Sequence, residues 1–160
     1  MEKLITAIAL VFSVFTAQAQ LSKVNEFVNS LPKKQKGIDI FRFSGANIKD
    51  VNKLSDGDLF MDIKQFVPDS LLKDIQDLVI CQIGAEQAKE SKALENAIKK
   101  ADLKTLYAVE TDGVAVQMLT TDFDENNAQD LLIDVKSEDD SRITVMLKGK
   151  IPMELTGNGK

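Results

Sequence analysis

Apolar residues recur with a helical period through much of the first half of this 160-residue chain and every second residue in the later part. Val24, Phe27, Val28 and Leu31 follow the i, i+3, i+4, i+7 spacing of one helix face, with Ser22 placed to cap the helix and Pro32 to stop it. Ile38 to Phe43 is rich in branched and aromatic residues and predicts a strand ended by Ser44-Gly45. Its phase slips between Ile40 and Phe41, as a bulge or burial on both faces would require. Ile48 and Val51 allow a short helix within 47–54. Asp56-Gly57 marks a turn, and Asp58 can cap a helix carrying Leu59, Phe60, Ile63, Phe66 and Val67, stopped by Pro68. Residues 71–77 fit either a helical turn or the approach to a strand over 78–83, which Gly84 closes. The most regular helix spans 85–103. There Leu94, Ala97, Ile98 and Ala101 share a face, and Glu95 with Lys99 forms a favourable i,i+4 pair.

After that helix the period changes. Leu106–Glu110 and Val114–Thr120 flank Asp112-Gly113, a strong hairpin signal. Leu131, Ile133 and Val135 alternate with Leu132, Asp134 and Lys136. Ile143, Val145, Leu147 and Ile151 alternate with Thr144, Met146, Lys148 and Lys150, beyond a polar connection at 137–141. Such alternation predicts antiparallel strands with one apolar and one solvated face. The whole pattern predicts an α+β fold: an antiparallel sheet of about five to six strands, hairpin-rich in its C-terminal half, with helices packed on one face. Strand order does not follow from the pattern.

The first 20 residues are of another kind. Met1-Glu2-Lys3 leads into an apolar run from Leu4 to Phe15, followed by the small-residue site Ala17-Gln18-Ala19. This is the layout of a secretory signal peptide cleaved between Ala19 and Gln20. The run is shorter than the ~20 residues a membrane-spanning helix needs. The expected organisation is a signal peptide over 1–19, a single domain over 20–155, and a disordered tail over 156–160. The expected mature protein is periplasmic or secreted and carries no stable membrane anchor.

Composition removes several chemistries. The 20 basic and 25 acidic residues give a net charge of −5, which lacks the basic footprint of a nucleic-acid partner. Lys33, Lys34 and Lys36 are a local exception without aromatic neighbours. The chain has no histidine, so His-based acid–base, nucleophile and metal chemistry is absent. Cys81 is the single cysteine and can form neither an intramolecular disulfide nor a Cys–Cys metal site. It sits in the apolar run Leu78-Val79-Ile80-Cys81, where a packing role is expected. No cysteine follows the cleavage site to accept a lipid. The eight glycines form neither GxGxxG nor a P-loop. Asp122 to Asn127 starts like a calcium loop, but Asn127 stands where glycine is needed and Ile133 where glutamate is needed, so a polar loop is expected. Carboxylate pairs of the kind used in glycoside hydrolysis are available, as in any acidic chain. With no tryptophan and one tyrosine, Tyr107, a sugar platform is poorly supplied, and Tyr107 reads as a packing residue with a solvated hydroxyl. No catalytic, cofactor-binding or metal-ligating residue is assigned.

Leu106-Tyr107-Ala108-Val109-Glu110 and the closing stretch Arg142 to Ile151 resemble a domain-of-unknown-function family of exported proteins common in Bacteroidota. Its members carry a signal peptide, a helix, a Tyr…Glu-x-x-Gly strand pair and a last Leu-x-Gly-x-Ile element. The resemblance implies a small α+β envelope protein and supplies no catalytic residues. Many members are lipoproteins, from which this chain departs by lacking a cysteine at the cleavage site. The expected function is a non-catalytic protein-binding module of the bacterial cell envelope, meeting another envelope protein through an exposed sheet face or edge. Two alternatives stand beside it. One is a small-molecule carrier with an apolar pocket between helices and sheet; the other is a hydrolase with two converging carboxylates, at least one of them desolvated.

Overall fold

The computed structural model describes residues 21–32, 35–54, 57–60, 64 and 67–156. The cleavage pair Ala19-Gln20, the lysines 33 and 34, Ile63, Phe66 and residues 157–160 lie outside them. A helix over 21–30 (α1) precedes strand β1 (Ile38–Ser44). Two 3-10 segments, Gly45–Lys53 and Asp69–Asp74, then lead to β2 (Ile75–Ile83). Helix α2 (Ala88–Lys100) is followed by β3 (Lys104–Thr111), β4 (Val114–Phe123), β5 (Asn127–Lys136) and β6 (Arg142–Pro152). The six strands form one sheet in the order β1-β2-β6-β5-β4-β3, with every neighbouring pair antiparallel. The fold is α+β.

Strands β3 to β6 make a meander, and β6 closes it onto β2 in the middle of the sheet. Because β2 is second from one edge and β3 is the other edge, α2 carries the chain across the sheet between them. The apolar stripe predicted for α2 is the one buried: Leu94 and Ile98 pack with Val79, Cys81, Ile83 and Leu132 of the sheet. Val24 and Val28 of α1 join the same cluster, so both α-helices lie on one face. Ala101 follows α2, and Asp102, with φ of +53°, reverses the chain into β3.

The helix-covered face is that of Leu132 and Met146, which the alternation marks as solvated; the opposite, apolar face is covered as well. Ile48, Val51, Leu71 and Leu72 of the 3-10 segments pack there with Leu78, Ile80, Ile133, Val145 and Leu147. This second layer explains why Leu131 to Val135 and Arg142 to Leu147 are buried without interruption. It also resolves the phase slip in β1. Pairing with β2 runs unbroken from Ile38 to Ser44, Ile40 packs with the helix-side cluster, and Phe41 with the opposite one.

Local differences from the pattern have local causes. Residues 57–60 are turn and bend, so the helix expected after Asp58 does not begin there. Residues 69–74 choose a 3-10 turn and β2 starts at Ile75, earlier than the hydrophobic run indicates. Thr156 belongs to the closing 3-10 turn Met153–Thr156 and is buried, donating its hydroxyl to the Met153 carbonyl at 2.7 Å. The fold therefore takes in one residue assigned above to the tail. No helix among the described residues is long and apolar enough to cross a membrane.

Candidate functional site

The element that stands out is the end of the sheet formed by β3 and β4. Every residue of β3 is exposed except Leu106, which is half-buried. Asp112-Gly113 makes the two-residue hairpin predicted for it, with φ of +54° and +79°, the left-handed pair a type I′ turn requires. That turn fixes the register. Thr111 faces Val114, Val109 faces Val116 and Tyr107 faces Met118, so these side chains share one face of the sheet. Val114, Val116 and Met118 are only half-buried and flank the apolar cluster. Tyr107 and Val109, beside them, are 45% and 39% exposed. Among the described residues the 3-10 layer packs mainly against β1, β2 and β6. Tyr107 thus lies beside half-buried Met118 with nearly half of its surface in solvent. Beyond it β3 is the last strand of the sheet on this side.

On the opposite face, a cleft of about 520 Å³ lies between α2 and the β3–β4 hairpin. Small side chains, Ala108 and Ala115, make room for it, and its floor reaches a buried polar cluster. Arg142 is 1% exposed and Asp134 4%. The Arg142 guanidinium donates to Asp134 Oδ2 at 2.5 Å and to Ser91 Oγ at 3.1 Å, and lies 3.9 Å from Glu95 Oε1. Gln117 donates to the same Asp134 oxygen at 3.1 Å, and Thr144 to Oδ1 at 2.9 Å. Burying such a pair is tolerable only with the remaining donors and acceptors satisfied, and Ser91, Gln117 and Thr144 supply that. The sequence reading placed Asp134 on a solvated face and gave Arg142 no role. The missing information was register, since Asp134 opposes Thr144 and Lys136 opposes Arg142 only once β5 and β6 are paired.

Two carboxylates, Asp134 and Glu95, thus meet at one guanidinium, as the hydrolase alternative requires. Both carboxylates are engaged by cations or other donors. Both Asp134 oxygens are occupied by donors. A hydrogen bond from Lys92, and then the charge of Arg142, outweigh partial burial and hold the Glu95 carboxyl below its ordinary value. A general acid needs the opposite displacement. Glu95 pairs with Lys92 at 3.0 Å in place of the expected Lys99.

The other sequence candidates find structural work. Cys81 is fully buried and its thiol is pushed up to about 12 by burial. Asp122 pairs with Lys104 at 2.5 Å across β3 and β4. Asp124 accepts the backbone N–H groups of Asn126 and Asn127, both at 2.8 Å, closing the β4–β5 turn. These bonds hold both carboxyls below their ordinary values. Among the described residues no three His, Cys, Asp or Glu side chains are grouped to hold a metal ion. A second cleft, of about 470 Å³, opens beside the start of α1. Apolar Leu21, Phe43 and Met146 share its walls with Arg42, Asp77 and Lys148.

No family model, curated protein or solved structure matches this chain.

Proposed function

We propose that this protein is an exported, non-catalytic binding module of the bacterial cell envelope that docks another protein on the exposed β3–β4 end of its sheet. The observation that carries the reading is the pairing of Tyr107 and Val109, both exposed, with half-buried Val116 and Met118 on the last strand pair of the sheet. An extended segment laid against β3 would satisfy the edge backbone and cover those side chains in one step. The family resemblance and the leader sequence supply the compartment, with Gln20 as the first residue of the mature chain.

The test is a photoreactive amino acid placed at Val109 in living cells, with exposed Lys73, on the covered half of the molecule, as control. Adducts of defined mass are expected from position 109 and not from position 73, and Tyr107→Asp should abolish them. Equal labelling at both positions would remove the basis for a docking surface. The export part is checked separately by intact mass of the protein recovered from the envelope fraction. A chain that retains Met1 would contradict cleavage after Ala19.

A carrier function draws on the cleft beside α1, whose volume suits a small ligand. Its walls alternate apolar and charged groups, which fits a solvent-exposed groove better than the apolar pocket a carrier of hydrophobic cargo needs.

A further inference from the structure

We propose that the cleft between α2 and the β3–β4 hairpin is a binding site for a small uncharged molecule headed by a primary carboxamide, held between the Arg142 guanidinium and the Glu95 carboxylate. Ala108, Ala115 and Gln117 of its floor alternate along β3 and β4 with Tyr107, Val116 and Met118. The site is therefore on the other face of the sheet and does not depend on the docking reading.

Arg142 is almost wholly removed from water, and its donors are unevenly used. Nε donates to Ser91 Oγ at 3.1 Å and Nη1 to Asp134 Oδ2 at 2.5 Å. Among the described residues Nη2 makes no hydrogen bond. Glu95 Oε1 lies 3.9 Å from it, beyond hydrogen-bond length. A buried guanidinium with idle N–H groups carries a free-energy cost that a polar occupant of the cleft relieves. Arg142, Glu95 and Gln117 all line that cleft. The Gln117 amide nitrogen is taken by Asp134, while its oxygen accepts no hydrogen bond among the described residues.

The gap selects the head group. A donor and an acceptor side by side at 3.9 Å fit the neighbouring C=O and N–H of a primary carboxamide. Its oxygen accepts from Arg142 Nη2 and its nitrogen donates to Glu95 Oε1, in two nearly parallel hydrogen bonds. A single hydroxyl or water oxygen would have to reach both groups at less than its tetrahedral angle. Charge points the same way, because Arg142 and Lys92 are already matched by Asp134 and Glu95. A carboxylate would be repelled by Glu95 and Asp134, and an ammonium by Arg142. Ile98, Leu103 and Leu119 give the remainder of the molecule an aliphatic wall, and the volume of about 520 Å³ suits a small ligand.

The test is an NMR titration of the purified, isotope-labelled protein with three probes of one shape: cyclohexanecarboxamide, cyclohexanecarboxylate and cyclohexylmethylammonium. The carboxamide is expected to shift the backbone signals of Ile98, Ala108, Ala115 and Gln117 in a saturable way, with a Kd of roughly 1–10 mM, as befits so small a molecule. The two charged probes should bind about tenfold more weakly or not at all. Ala108→Leu, at an exposed position, fills the floor of the cleft and should abolish the shifts with the melting temperature unchanged. Glu95→Ala removes the acceptor and the repulsion together, and should lose the preference for the carboxamide over the carboxylate. Should Glu95→Ala not fold, the three probes and Ala108→Leu carry the test. Absence of any saturable shift with the carboxamide, or shifts that Ala108→Leu leaves in place, overturns the site. A carboxylate that binds wild-type protein as tightly as the carboxamide overturns the proposal as well.

Discussion

Gly149 shows how a single residue can be fixed by its neighbours. It sits in β6 with φ of +150°, and a Cβ built on it would lie 2.7 Å from the Asp74 carbonyl oxygen. Across the sheet Asp130, itself at φ of +57°, accepts the Gly149 N–H at 2.9 Å. The Leu-x-Gly-x-Ile element behind the family resemblance is thus explained by backbone approach alone. Gly149→Ala is expected to cost roughly 1–3 kcal/mol, since neither the conformation nor the clash is easily relieved; urea denaturation measures it, and an unchanged midpoint would refute the account. Arg142 and Asp134 make a second case. Removing one partner leaves the other charge buried and unpaired, so Asp134→Ala should destabilise by about 3–5 kcal/mol. The pair of replacements Arg142→Met and Asp134→Leu should cost less than the two singles added together. Additive costs in that double-mutant cycle would mean that the pair is not coupled. At Cys81 the raised thiol predicts chemistry: a thiol reagent should leave native protein unmodified at pH 8 and label it fully in urea.

At the scale of elements, what was legible in the sequence depended on whether an element's face could be read without its neighbours. α2 could, because its apolar stripe is interrupted by charge and its face is set by period alone. The β3–β4 hairpin could, because Asp112-Gly113 dictates both turn and register. The 3-10 segments could not. Their hydrophobic residues are too few to show a period, and only the sheet beneath Ile48 and Leu71 makes them a layer. The buried polar cluster was illegible for the same reason, since Asp134 looks like any outward residue until a guanidinium from the next strand meets it. The contact of α2 with that cluster has a pH signature. Glu95 has a folded pKa below its ordinary value of 4.5, set first by Lys92 and then by Arg142. Its contribution is complete above about 4.5 and is lost as the pH falls below that value, because the unfolded chain binds the proton more readily. The stability difference between wild type and Glu95→Gln should therefore shrink between pH 6 and pH 3, as followed by urea titrations. A difference that stays constant with pH would show that Glu95 acts by packing and not by charge.

For the whole molecule, the two layers are unequal in extent, and the inequality sets where stability lies. β2, β5 and β6 are clamped between the α-helices and the 3-10 segments, with Leu78, Ile80, Leu131, Leu132, Ile133 and Leu147 wholly removed from water. Among the described residues β3 has a neighbouring strand on one side only, and all its residues but Leu106 are exposed. Opening the β3 edge exposes little new apolar surface, whereas opening β5 would strip both cores at once. Hydrogen exchange in dilute protein should therefore be graded across the sheet, slowest in β5, β6 and the centre of β2, and fastest at the outward amides of Tyr107 to Thr111. Uniform protection across all six strands would mean that the sheet opens only as a unit. The same measurement links stability to function. The strand expected to exchange fastest is the one proposed to receive a partner, and a bound partner should slow exchange at 107–111 while leaving β5 unchanged. Slowing in β5 instead would locate the association elsewhere on the molecule.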